Sequence, residues 1–155
     1  MSKKSRLSKD GPPTIQNRRA RYDFEILSTY EAGMVLEGSE VKSILNGQVV
    51  MTGAFCRLDD GEIFLFELDI APYEQATAYK PERRRRIKLL LHTKEISLIK
   101  RKAEEKGLAI IPLKIYFKNR RAKVEIAIAR GKKHYDKRES IAKKDQARAS
   151  QRGED

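Results

Sequence analysis

The sequence predicts a mainly β fold: a small closed antiparallel β-barrel with two or three flanking helices and a basic C-terminal tail that is disordered when free. Three observations carry this. Short apolar runs recur six or seven times, most of them linked by hairpin signals, while only two stretches repeat at helical spacing. No strand–helix–strand rhythm or internal repeat interrupts them, which argues against a doubly wound sheet. Charge gathers at the ends: residues 1–21 and 130–152 each carry +6, whereas residues 22–129 carry +2 within a net charge of +12.

The 155 residues are 39% hydrophobic and 36% charged, enough for one domain with a modest core. Residues 1–13 read as a flexible basic arm, 14–130 as an RNA-binding barrel domain, and 131–155 as the basic tail. No apolar run approaches the ~20 residues that cross a bilayer, and no secretory signal follows the basic start, so a cytoplasmic protein without membrane attachment is expected.

In order along the chain, Asn17-Arg18-Arg19-Ala20-Arg21 sets three guanidiniums at a domain edge, suited to bidentate phosphate contact. Residues 22–30 alternate as a strand; Gly33 allows a turn or bulge before residues 34–36 resume it. Ser39 is read as the N-cap of a helix over 40–46, with Lys42 at its third position and Gly47 closing it. Val41, Ile44 and Leu45 form its core face. Residues 54–58 and 63–68 are strands joined by Asp59-Asp60-Gly61, a strong hairpin signal. Phe64, Phe66 and Leu68, with Phe55 across the turn, are assigned to the core.

Residues 73–82 read as a loop with Tyr73 and Tyr79. The four arginines 83–86 that follow suit either RNA contact or a solvated face, and both readings stay open. Residues 87–91 form a short buried strand. Thr93 caps a helix over 94–106 that Gly107 ends, with Ile96, Ile99 and Ala103 inward. Residues 108–117 and 122–129 pair across residues 118–121, and Pro112 marks a bulge or an edge. Beyond lies the cationic run from Arg130 to Arg138, built to touch polyanion.

Enzyme chemistry is thin. The chain has two histidines and one cysteine, no metal-ligand spacing and no phosphate-binding glycine loop, and no cofactor is expected. Cys56 reads as a small buried hydrophobe. Two classes remain: a non-catalytic RNA-binding adaptor, or a small RNA-cleaving or RNA-modifying enzyme using Glu31, Glu37 or Glu40 as base and His92 as acid.

Seven ordered segments resemble the small protein B family, the bacterial partners of transfer-messenger RNA: Asn17-x-Arg-Ala-Arg21, Tyr30-Glu-Ala-Gly33, Leu36-x-Gly-x-Glu-Val-Lys-Ser43, Gly61-Glu-x-Phe-Leu65, Ile70-x-Pro72, Arg86-x-Lys-Leu-Leu-Leu91 and Gly131-Lys-Lys-x-x-Asp-Lys-Arg138. The resemblance implies a barrel like the oligonucleotide-binding (OB) fold and a non-catalytic adaptor. It would grip the tRNA-like domain at its D-loop and enter the A site of stalled ribosomes, with elongation factor Tu in the delivery complex. The protein is expected to be monomeric. By position, the resemblance places Asn17, Arg19, Glu31, Leu90, His92 and Lys123 at the tRNA-like interface, Lys132 and Lys133 nearby, and Leu90 supporting the site by packing. Arg18, Arg21, Lys42 and Arg130 join this set as cations. A plainer alternative pairs Glu31 with Arg19 or Arg21. Tyr135, Asp136, Lys137 and Arg138 would face the decoding centre of the small ribosomal subunit, with the tail sensing the empty mRNA channel. The chain departs from the family pattern at Leu45 and Gln48, where many relatives are basic.

Overall fold

The structure, a computed structural model, describes residues 11–73, 81–105 and 107–132. Its elements are β1 (Ile15–Gln16), α1 (Ala20–Asp23), β2 (Phe24–Met34), α2 (Gly38–Leu45), β3 (Val49–Val50), β4 (Phe55–Asp59), β5 (Glu62–Phe66), β6 (Asp69–Ile70), β7 (Ile87–Leu90), α3 (Thr93–Ala103), β8 (Leu108–Lys118) and β9 (Arg121–Gly131). The fold is mainly β with a few helices. All pairings are antiparallel. β8 pairs with β4, β4 with β5, β5 with β7, β7 with β2, β2 with β9, and β9 again with β8, so the order of neighbours returns to its start.

Both hairpins form where the turn residues point. Asp60 and Gly61 take φ of 52° and 77°, and Asn119 and Arg120 take 52° and 65°. Such left-handed two-residue turns match the twist of the flanking strands. The bulge expected at Pro112 is present: the β8–β9 register shifts between Pro112 and Lys114. Gly33 corrects its expectation, because β2 runs through it; the irregularity falls at Leu27, between Ile26 and Ser28. A Cβ at Gly33 would lie 3.4 Å from the Cβ of Leu90 and 3.7 Å from Lys123 Nζ, ordinary contact distances.

The phenylalanines are a second correction. Ile63 and Leu65 of β5 point inward and are fully buried, leaving Phe64 and Phe66 half-buried on the outer face with Phe55. Both faces of this strand are apolar, so periodicity alone cannot choose between them. The neighbour decides: Phe64 lies opposite Lys88, which must face water, while Ile63 and Leu65 lie opposite Leu89 and Ile87. Leu68 is buried as expected, because Glu67 at φ 60° breaks the alternation. β7 is accordingly buried on one face only.

α2 begins before the expected Ser39. Glu37 is its N-cap, and the Glu40 carboxylate accepts the Glu37 N–H at 2.8 Å. At its other end Gln48 N–H donates to Ser43 O and Gly47 N–H to Ile44 O, both at 2.9 Å, with Gly47 at φ 73°. α3 starts likewise on His92 rather than Thr93, with Glu95 accepting the His92 N–H at 3.2 Å. The two helices each insert one isoleucine, Ile44 and Ile99, into the main core. α1, which takes up the first two residues of the strand expected over 22–30, covers a second apolar cluster on the outer side of β8 and β9: Ala20, Ile111, Leu113, Ala127 and Ala129. Glu40 is only 5% exposed, and Arg85 reaches it from 45 residues away with Nε–Oε2 and Nη2–Oε1 distances of 3.0 and 2.7 Å.

Candidate nucleic-acid interface

The outer face of β2, β9 and β8 changes character along its length. At one end α1 covers Ala127 and Ala129. At the other, the register sets Glu31 and Gly33 of β2 opposite Glu125 and Lys123 of β9, which in turn lie opposite Lys114 and Tyr116 of β8. Alternation fixes this face, because Val124 and Ile126 occupy the core side. Leu90 of β7 pairs with Gly33 and extends the surface. It is 54% exposed, so within the strand expected to be buried this residue faces outward. Gly33, Leu90, Arg120, Arg121 and Lys123 line an open cleft with an apolar floor and a cationic rim.

Glu31 is held by neither Arg19 nor Arg21. The Tyr116 hydroxyl donates to its Oε2, and Lys118 Nζ stands 3.6 Å from Oε1. The hydrogen bond from Tyr116, helped by Lys118 and Lys123, outweighs partial burial and keeps the Glu31 carboxyl below the usual range. Burial, followed by the bond to Glu31, pushes the Tyr116 phenol up, so it remains a donor. Glu31 is therefore a fixed, ionised acceptor. A depressed carboxyl contributes stability above its unfolded-state pKa and loses it as pH falls through the lowered one. Tyr116→Phe should raise the Glu31 pKa toward its ordinary value in an NMR titration while leaving the fold intact; an unchanged titration would show that Tyr116 does not hold the carboxylate.

Asn17 is anchored to the scaffold through its donors. Its N–H and its Nδ2 donate to the carbonyls of Leu113 and Pro112, both at 2.8 Å, at the β8 bulge. That clamp sets Arg18 and Arg21 around a cleft shared with Lys114 and Glu125. Arg19 lies over the Tyr22 ring at 4.8 Å and 3.4 Å from Asp23. Lys132 anchors the end of β9 to the same corner, through N–H to Asp23 O and Nζ to Arg21 O, both at 2.9 Å.

The structure thus gathers Asn17, Arg18, Arg21, Glu31, Leu90 and Lys123 on one surface, with Arg19 and Lys132 at its edge. His92 follows Leu90 closely but serves as a helix cap, and Arg130 lies exposed beyond the covered apolar patch. Lys42 stands apart, 5.4 Å over the Tyr73 ring. Tyr79, Lys133, Tyr135, Asp136, Lys137 and Arg138 lie outside the described residues, as does the tail expected to be disordered. Of the arginines 83–86, Arg83 and Arg84 pair with Asp69, Arg85 with Glu40, and Arg86 with Asp59, and Arg85 alone of the four is largely covered. Missed from the sequence were Lys114, Tyr116 and Lys118, whose spacing of two on a strand was the available signal.

Of the carboxylates named as a base, Glu40 is engaged within the fold. Both Glu40 oxygens are taken by Arg85. Burial pushes the Cys56 thiol well up. Among the described residues no cluster of three metal-ligating side chains occurs, and no helix is long and apolar enough to cross a membrane.

Comparison with known proteins supplies context for this surface. The family described as SmpB protein matches residues 14–154. Curated relatives called SsrA-binding protein include that of Chloroflexus aurantiacus, 53% identical over 136 residues and covering 86% of this chain and 84% of the relative. The SsrA-binding protein of Thermus thermophilus is 51% identical over 138 residues, covering 88% and 96%. A solved chain described as "tmRNA-SmpB: a journey to the center of the bacterial ribosome" aligns with a TM-score of 0.67 at 50% identity, covering 83% of this chain and 94% of the solved one.

Proposed function

Because the chain belongs to the SmpB protein family, we propose that it is the RNA-binding adaptor that carries transfer-messenger RNA to stalled ribosomes for trans-translation and ribosome rescue. The observation that supports this most is the outer surface of β2, β9 and β8, where an ordered carboxylate, an exposed leucine and a series of cations meet. Asn17, Arg18, Arg19, Arg21, Glu31, Leu90, His92, Lys123, Arg130, Lys132 and Lys133 contact the tRNA-like domain at its D-loop, and Lys42 on α2 adds a further cation. Cations neutralise phosphates, Glu31 accepts from base or ribose donors, and Leu90 packs on a base face. Tyr135, Asp136, Lys137 and Arg138 engage the decoding centre of the small subunit, and the tail reads the mRNA channel. The pairing cycle is a closed barrel of the OB type spanning residues 14–130. The adaptor works in the cytoplasm as a monomer, without catalysis or cofactor, alongside elongation factor Tu.

Purified protein should retain transfer-messenger RNA at physiological ionic strength, release the RNA intact, and lose affinity steeply and log-linearly as salt rises. Tyr135→Ala combined with Asp136→Ala should leave that retention unchanged and abolish peptide tagging. Failure to retain the RNA, or recovery of cleaved RNA, overturns the adaptor reading; retention lost in the double variant overturns the separate role of the tail.

A further inference from the structure

Asn46 and Gly47, at the carboxyl end of α2, form the one Asn-Gly step in the chain; Asn17 and Asn119 are each followed by arginine. In such a step the backbone nitrogen of the second residue can attack the side-chain carboxamide carbon of the asparagine. Glycine, without a Cβ, hinders that attack least. Asn46 is half-buried beside exposed Gly47, and its carboxamide makes no hydrogen bond among the described residues. A Cβ at Gly47 would meet nothing within 4 Å, so water borders the step.

The folded helix end holds these reactive groups apart. At ψ 3° the nitrogen of Asn46 itself eclipses the Gly47 nitrogen. Ring closure requires Asn46 Cβ to take that place. The Gly47 N–H, which must give up its proton, donates to Ile44 O at 2.9 Å, and Gln48 N–H donates to Ser43 O at 2.9 Å. With Gly47 at φ 73° these bonds complete the cap. Two further bonds brace it from outside: Ser43 Oγ donates to Ala71 O at 2.7 Å, and Ala71 N–H donates to Gln48 O at 3.0 Å.

We propose that Asn46 is a deamidation site locked by this cap, reacting from the opened end of α2 and not from the folded one. On opening, the Gly47 nitrogen gives its proton to water and bonds to Asn46 Cγ. The bond from Cγ to the side-chain nitrogen breaks, and ammonia leaves with a proton taken up from solvent. Water then adds to one of the two carbonyls of the cyclic imide and breaks its bond to nitrogen. Opening at one carbonyl leaves aspartate; opening at the other leaves isoaspartate, with the chain rerouted through Cβ.

The event runs one way. Isoaspartate lengthens the backbone before Gly47 by a methylene, which displaces the Gly47 and Gln48 N–H groups from their acceptors. Either product sets a carboxylate at the negative end of the helix dipole. The helix so loosened is the one that carries Lys42 and the buried Glu40–Arg85 pair.

The test holds the full-length protein at mildly alkaline pH, folded and in guanidinium chloride, while peptide mass spectrometry follows aspartate and isoaspartate at 46. Hydrogen exchange measures protection of the Gly47 amide in the folded sample. In the unfolded chain position 46 should react first. In the folded chain it should react more slowly by the same factor that protects the Gly47 amide, at least about tenfold. Ser43→Ala, which removes the bond to Ala71 O, should lower that protection and speed the folded reaction together, about fivefold, with no change in denaturant. Equal rates in the folded and unfolded chain remove the lock, and earlier reaction elsewhere in the unfolded chain removes the site. A slowdown that departs from Gly47 protection shows that the cap does not set it. Any of these overturns the proposal, and the comparison within the parent protein decides it even where Ser43→Ala does not fold. None of the readouts involves RNA, so the adaptor reading stands or falls separately.

Discussion

Glu40→Ala is expected to cost the fold about 3 kcal/mol, the low end for breaking a buried pair by removing one partner. The carboxylate is at once the acceptor for the Glu37 N–H that starts α2 and the bidentate partner of Arg85. Removing it leaves a guanidinium only 27% exposed without its counter-charge, and an amide without its acceptor. Arg85 also donates to Val35 O and Arg86 O, so the loss would spread to the segment leading into β7. For a chain of this size the thermal midpoint should fall on the order of 10 °C. Glu40→Gln, which keeps an acceptor and loses the charge, should fall between the two. A loss under about 1 kcal/mol in chemical denaturation would show that the pair contributes little beyond its own desolvation cost.

The second large effect is on binding. Lys123 stands opposite Gly33 and Tyr116, next to Glu31 and Glu125 on one surface. Lys123→Glu would set three carboxylates together where a polyanion is to dock. Affinity for the tRNA-like RNA should drop about a hundredfold at moderate salt, and the salt dependence should become shallower by about one counterion. Lys123→Ala should show about a tenth of that loss, with the same change in slope. Because the side chain is half-exposed, circular dichroism and the unfolding midpoint should stay close to those of the parent. Less than a threefold change in affinity would move the RNA away from this surface.

How far the chain was readable depended on whether the deciding contact was local. Asp60-Gly61, Asn119, Gly47 and Pro112 act through their own backbone preferences, and each turn, cap or bulge appears where those residues stand. The N-caps were misjudged by one or two residues because the reciprocal partners, Glu40 and Glu95, were weighed less than the hydroxyls of Ser39 and Thr93. The three outer phenylalanines could not be placed from β5 alone; Lys88 on a neighbouring strand settles them. Glu40 stands first in the helix expected over 40–46, and Arg85, 45 positions on, accounts for its burial. On the binding surface, Asn17 and Lys123 were singled out, while Tyr116 escaped because its partner Glu31 lies 85 positions earlier.

The pairing cycle bears on recognition itself. Each of its six strands has a neighbour on both sides, so over the paired stretches the amides and carbonyls are already spoken for. Where a described strand is paired on both sides, a visiting peptide finds no edge to extend, and a second copy finds none to zip onto. What those stretches offer to the outside is texture and charge, and a partner docking there is chosen by the side chains that stand on them.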